Sequence, residues 1–156
     1  MKKTASHTPI LLLSEILAFL FPAVLIALCF LVPTAVDSCE NLCIFLGDSF
    51  AKTDRILFFT VGYLSIAAAA AADVLLILLL FRTKRGLVFT AQSAKLTGGI
   101  SACLFAVGAF FAVIGVSHLL ALLVTFGCIF LGIALLVVRN VLFEGAVLKD
   151  ENDLTV

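Results

Sequence analysis

Residues 56–81 read ILFFTVGYLSIAAAAAADVLLILLLF. The stretch is 26 residues long and holds a single charge, Asp73. A helix rises about 1.5 Å per residue, so about 20 residues cover the hydrocarbon core of a bilayer. This segment therefore reads as a membrane-spanning helix. Three more apolar runs qualify: residues 10–32, about 99–116, and 119–138. No ten-residue window alternates apolar and polar residues, which argues against a transmembrane β-barrel. The expected fold is all-α: a four-helix transmembrane bundle, one integral membrane domain across residues 1–156.

The composition agrees. Of 156 residues, 63% are hydrophobic and 13% charged, the latter about half of what a soluble domain carries. Mean hydropathy is +1.28. One soluble domain of this length cannot hide that much apolar surface, so a soluble globular enzyme is excluded, and disorder with it. Ten basic and ten acidic residues cancel, which argues against direct nucleic-acid binding by the chain as a whole.

Orientation follows the Lys/Arg distribution. Lys2 and Lys3 precede the first span, and the connection 82–98 holds Arg82, Lys84, Arg85 and Lys95 with no acid. The connection 33–55 carries Lys52 and Arg55 against Asp37, Glu40, Asp48 and Asp54. The positive-inside rule then places both termini and residues 82–98 in the cytoplasm, residues 33–55 in an external acidic loop, and residues 139–156 in an acidic cytoplasmic tail. A cleaved signal peptide is the competing reading of the N-terminus. The apolar stretch is too long for one, carries Glu15, and is followed by a poor cleavage site at Thr34-Ala35-Val36.

Small residues stud the spans, among them Ala67 to Ala72, Gly108-x-x-x-Ala112, Gly127 and Gly132. Lipid gives helices no hydrophobic reason to associate, so close approach at small residues is the usual mechanism. Packing inside one bundle is the simpler use of these residues, and a homo-oligomer seam is the other. Ser117-His118 is short enough to force an antiparallel hairpin. Thr90 is a fair N-cap for a helix feeding the third span, and Gly98-Gly99 is either a hinge or a site of close packing.

Two acids lie within the spans. Glu15 sits roughly 8 Å and Asp73 roughly 12 Å inside the membrane from the cytoplasmic side. Arg139, at the inner end of the fourth span, could reach them by snorkelling. Intramembrane ionisable groups are costly. Three readings stand: a structural clamp of Arg139 with Glu15 or Asp73, a ligand or proton site, and no mutual contact.

Cys39 and Cys43, four residues apart in the predicted external loop, are candidates for a disulfide or a redox-sensing pair. Two inert thiols are the plain alternative. Zinc would need four ligands, which Asp37 and Glu40 supply poorly. Cys29, Cys103 and Cys128 read as packing residues, and His118 as a solvated turn residue. No phosphate loop, metalloprotease motif or serine-nucleophile motif occurs. The expectation is a non-enzyme with neither cofactor nor metal.

The C-terminus, residues 140–156, reads NVLFEGAVLKDENDLTV, and residues 86–92 read GLVFTAQ, with Ile100-Ser101 following. These stretches resemble the bacterial four-span membrane family catalogued as domain of unknown function 2975, whose members end in an acidic Glu-Asn-Asp-Leu-Thr-Val/Ile-like tail. Ser93, Gly98 and Gly99 stand where that family often has Asn and extra basic residues. The resemblance implies a multi-pass protein of the bacterial cytoplasmic membrane, and a small cytosolic helix-turn-helix regulator as a partner.

The partner-binding candidates are Phe89, Thr90, Glu144, Lys149, Asp150, Glu151, Asn152 and Asp153. An acidic tail with the apolar anchors Ala146-Val147-Leu148 suits a basic DNA-binding domain. A solvated helix end is the plain alternative. The leading functional expectation is a small membrane sensor or regulator that binds such a partner. Its rivals are a transporter or channel subunit using Glu15 and Asp73, and a lipid-interacting structural protein.

Overall fold

The structure is a computed structural model that describes residues 9–45, 52–115 and 119–154. Four helices make up this part of the chain: α1 (Pro9–Phe45), α2 (Lys52–Lys84), α3 (Ala91–Gly115) and α4 (Leu119–Leu154). No strand occurs among the described residues. Each helix contains a stretch long and apolar enough to cross a membrane. The all-α, four-helix expectation holds.

The helices outrun the spans read from hydropathy. α1 has 37 residues and α4 has 36, each about 55 Å of helix against a hydrocarbon core of about 30 Å. Most of the expected external loop is therefore helix: α1 continues through Pro33 to Phe45, and α2 begins at Lys52. A proline inside a helix removes one hydrogen bond and crowds the preceding turn, yet α1 absorbs both Pro22 and Pro33. Beyond Pro33 no further proline or glycine interrupts the helix. Arg55 also ties the two extensions together, 2.6 Å from Asp37 and 3.5 Å from Glu40. The acidic tail is likewise helical, to Leu154.

Among the described residues, only helices adjacent in sequence pack together: α1 on α2, α2 on α3, α3 on α4. The bundle is thus open, with no α1–α4 contact to close it. α1 shows the consequence. Its buried residues Ala18, Leu25, Val32 and Val36 form one narrow stripe of near-heptad spacing, the pattern of a helix with a single neighbour. Most of its other described side chains are exposed, with Phe30 at 79%. So much exposed apolar side chain on every helix suits contact with lipid.

The α3–α4 seam is built differently. Ser93, Ala94, Thr97, Ser101, Gly108 and Gly115 are buried on α3. The Ser101 hydroxyl, fully buried, donates to the Gly132 carbonyl of α4 at 2.8 Å. A Cβ at Gly132 would come within 2.9 Å of the Phe105 ring, so only glycine lets the two backbones approach this closely. At one end of the α2–α3–α4 region Val61, Ile114 and Ala121 form a buried apolar cluster, flanked by Phe58, Phe110 and Phe111.

The Gly98-Gly99 alternative resolves toward close packing. α3 runs unbroken through both. An added Cβ would lie 2.9 Å from the Arg139 side chain at Gly98, and 2.8 Å from Leu75 at Gly99.

Candidate functional site

Two places gather the polar residues that the sequence singles out. The first is a cavity of about 420 Å³ with α2 as its floor. On α2, Ser65, Ala68, Ala69, Ala72, Asp73 and Leu76 all line it. Their spacing of three and four residues puts them on one helix face. Phe21, Leu25 and Leu28 of α1 form one wall, and Ile100, Cys103, Leu104 and Val107 of α3 the other. The hollow exists because the floor is alanine, whose side chain reaches too short a distance to fill the space between flanking helices. Since α1 and α3 do not touch, the cavity opens between them.

Asp73 is only 5% exposed, and its Oδ1 has no hydrogen-bond partner among the described residues. The Ser65 hydroxyl is likewise buried and unpartnered. The structure does not bring Arg139 to Asp73. The two sit on α4 and α2, whose backbones do not approach each other closely among the described residues, and the Arg139 side chain lies along Gly98 instead. The Asp73–Arg139 form of the clamp is therefore not present: α3 stands between its partners. Glu15 belongs to α1 by its backbone, and its side chain lies outside the described residues.

The second place joins the connection after α2 to the end of α4. α2 ends in a Schellman turn, in which the Leu87 N–H donates to the Arg82 carbonyl (3.1 Å) and the Gly86 N–H to the Thr83 carbonyl (3.0 Å). Gly86 has φ +74°, a conformation open to glycine at little cost. Thr90 then caps α3 as its sequence position suggests: the Ser93 N–H donates to Thr90 Oγ1 at 3.2 Å. The Ser93 hydroxyl closes the turn on the Leu87 carbonyl at 2.9 Å. The connection is therefore a compact, internally bonded turn.

Phe89 leaves this turn and packs its ring against Gly145 of α4, in space that any Cβ there would occupy. Ala146 beside it is buried. The basic connection and the acidic helix end thus form one continuous surface. On this part of α4 Glu144, Lys149 and Glu151 are exposed, while Asp150, Asn152 and Asp153 have side chains outside the described residues.

At the opposite end of the bundle Cys39 is a free thiol on α1, and the Cys43 side chain lies outside the described residues. His118 lies outside them too. No group of three or more potential metal ligands occurs among the described residues.

Sequence reasoning singled out Asp73 and missed Ser65 and the cavity between the walls. The available signal was the polar pair bracketing an alanine run. Length and apolarity of the helices define a multi-pass membrane protein in contact with the lipid bilayer. No known family model, curated protein or solved structure matches the chain.

Proposed function

We propose that the chain is a small regulator of the bacterial cytoplasmic membrane. Its termini face the cytoplasm, and it holds a cytosolic partner at the surface shared by the connection and the end of α4. One observation carries this reading: Phe89 docks on Gly145, so the basic turn and the acidic helix end present one pre-ordered face. A surface already ordered loses less conformational entropy on binding than a mobile tail would. The charge pattern supports the cytoplasmic assignment, with Arg82, Lys84, Arg85 and Lys95 all in or beside the connection. The partner class is a basic DNA-binding domain of the helix-turn-helix kind. Its support is the acid excess after Arg139 and the resemblance of the tail to the domain-of-unknown-function 2975 family. Neither enzymatic chemistry nor direct nucleic-acid contact belongs to this reading.

The test is affinity capture of the tagged full chain in mild detergent, beside a chain lacking residues 150–156 and a Gly145→Leu variant that displaces Phe89. A helix-turn-helix protein that is enriched with the full chain and lost with both changes supports the regulator. Recovery of the chain itself alone, or of other membrane proteins, shifts the reading to the second one. That reading is a homo-oligomeric transporter or channel subunit using intramembrane acids, and the unpaired Asp73 beside a cavity favours it.

A further inference from the structure

Asp73 poses a problem of physical chemistry that nothing among the described residues solves. A carboxyl group buried in apolar surroundings without a hydrogen-bond partner is destabilising, and more so in a membrane. Its Oδ1 is unpartnered, and Ser65, two turns away on the same face, is unpartnered as well. Both line a hollow whose remaining surface is alanine, aliphatic side chains, Phe21 and one thiol. About 420 Å³ falls within the range of sites that take a small organic molecule.

We propose that this cavity is a binding site for a lipophilic amine, a single-chain or aryl-alkyl ammonium compound that enters from the bilayer between α1 and α3. The ammonium N–H groups donate to Asp73, and the apolar body lies along the Ala68–Ala69–Ala72 floor. Ser65 meets a polar atom at the far end, about 12 Å along the helix. Anions are repelled by the carboxylate. Neutral polar molecules find too few partners to replace their lost hydration. A phospholipid headgroup is excluded by depth, because Asp73 lies about 12 Å inside the span from Phe81. An ethanolamine headgroup would have to drag its phosphate to that depth beside an acid. The proposal rests on neither functional reading above, since it stands on the cavity and the buried Asp73 and Ser65 alone.

The probe is dansylcadaverine, a fluorescent primary amine, added to the full chain in phosphatidylcholine nanodiscs. Empty discs measure simple partitioning. The N-acetylated form of the same dye serves as a neutral twin. The wild-type chain is expected to give a saturable fluorescence rise with the amine and none with the twin. Asp73→Asn should weaken binding about tenfold or more, because it removes the charge and keeps the shape. Ala69→Phe, which fills the floor and leaves Asp73 in place, should abolish it. Helical circular dichroism and a single gel-filtration peak establish that each variant is folded. If one fails to fold, the other variant and the neutral twin still decide.

Saturable binding of the neutral twin equal to that of the amine would overturn the proposal. So would unchanged binding in either folded variant, or no saturable binding to wild type, whether lipid or a second copy of the chain fills the groove. Displacement of the dye by phosphatidylethanolamine mixed into the disc would reassign the site to a headgroup and overturn it as well.

Discussion

α3 has two faces, and they treat polar atoms in opposite ways. Toward α4 it buries Ser93, Thr97 and Ser101, and each hydroxyl is hydrogen-bonded: to Leu87, to Ser93 and across the seam to Gly132. Toward the cavity it presents Ile100, Cys103, Leu104 and Val107, and the polar atoms across it, on Ser65 and Asp73, have no hydrogen-bond partner among the described residues. Satisfied hydroxyls hold helices together at modest energy. Unsatisfied ones beside an empty volume cost stability, and a fold that keeps them has a use for them. The seam reads as structure and the cavity as function.

The strongest way to break that contrast is to overfill the seam. Gly132→Leu would drive a side chain into Phe105, and the expected loss is about 2–3 kcal/mol, read as a lower detergent-denaturation midpoint by circular dichroism. Gly127→Leu is the matched control. A side chain at Gly127 meets open space, so the change should fall within about 0.5 kcal/mol. Equal effects at both positions would mean the seam is not where α3 and α4 meet.

Next in size are two changes of opposite sign. Ser101→Ala removes the bond to Gly132 and leaves a buried carbonyl with one partner fewer, at an expected cost of about 1 kcal/mol. Asp73→Leu, measured without added amine, should stabilise the chain by about 1 kcal/mol, because it replaces an unpaired buried acid with a side chain lipid and protein both accept. A loss of stability at Asp73 would place it on the structural side of the comparison. The smallest effect belongs to Arg55→Ala. Its pairing with Asp37 and Glu40 is about half exposed, so the change should stay under about 0.5 kcal/mol and shrink further with salt.

Much of the candidate site was legible as residues and little of it as geometry. Asp73 stood out as the one charge in a 26-residue apolar run, and Thr90 was recognisable as a cap from the helix that follows it. The Arg139 clamp was read from depth alone. Depth says which leaflet a side chain occupies but not which neighbour it faces, and α3 lies between the two helices concerned. The end of the apolar run at residue 32 marked the start of a loop, whereas α1 runs on through Pro33 to Phe45. Phe89 was named as a surface candidate, and Gly145 passed unnoticed because a lone glycine near a helix end has several uses. Contact between them reveals which one applies.

What the sequence determined by itself is the membrane and the helices. Bilayer hydrocarbon offers no hydrogen bonds, so four long apolar runs leave the backbone no option but to satisfy itself within each run. Lys and Arg placement adds an expected orientation. The order of packing was left to tertiary structure, because lipid and a neighbouring helix are nearly equal solvents for an apolar side chain. Association is then decided by local fit: which glycine meets which ring, which hydroxyl reaches which carbonyl, and where alanine leaves a hollow. Those complementarities exist only between helices, and no single run of sequence contains them.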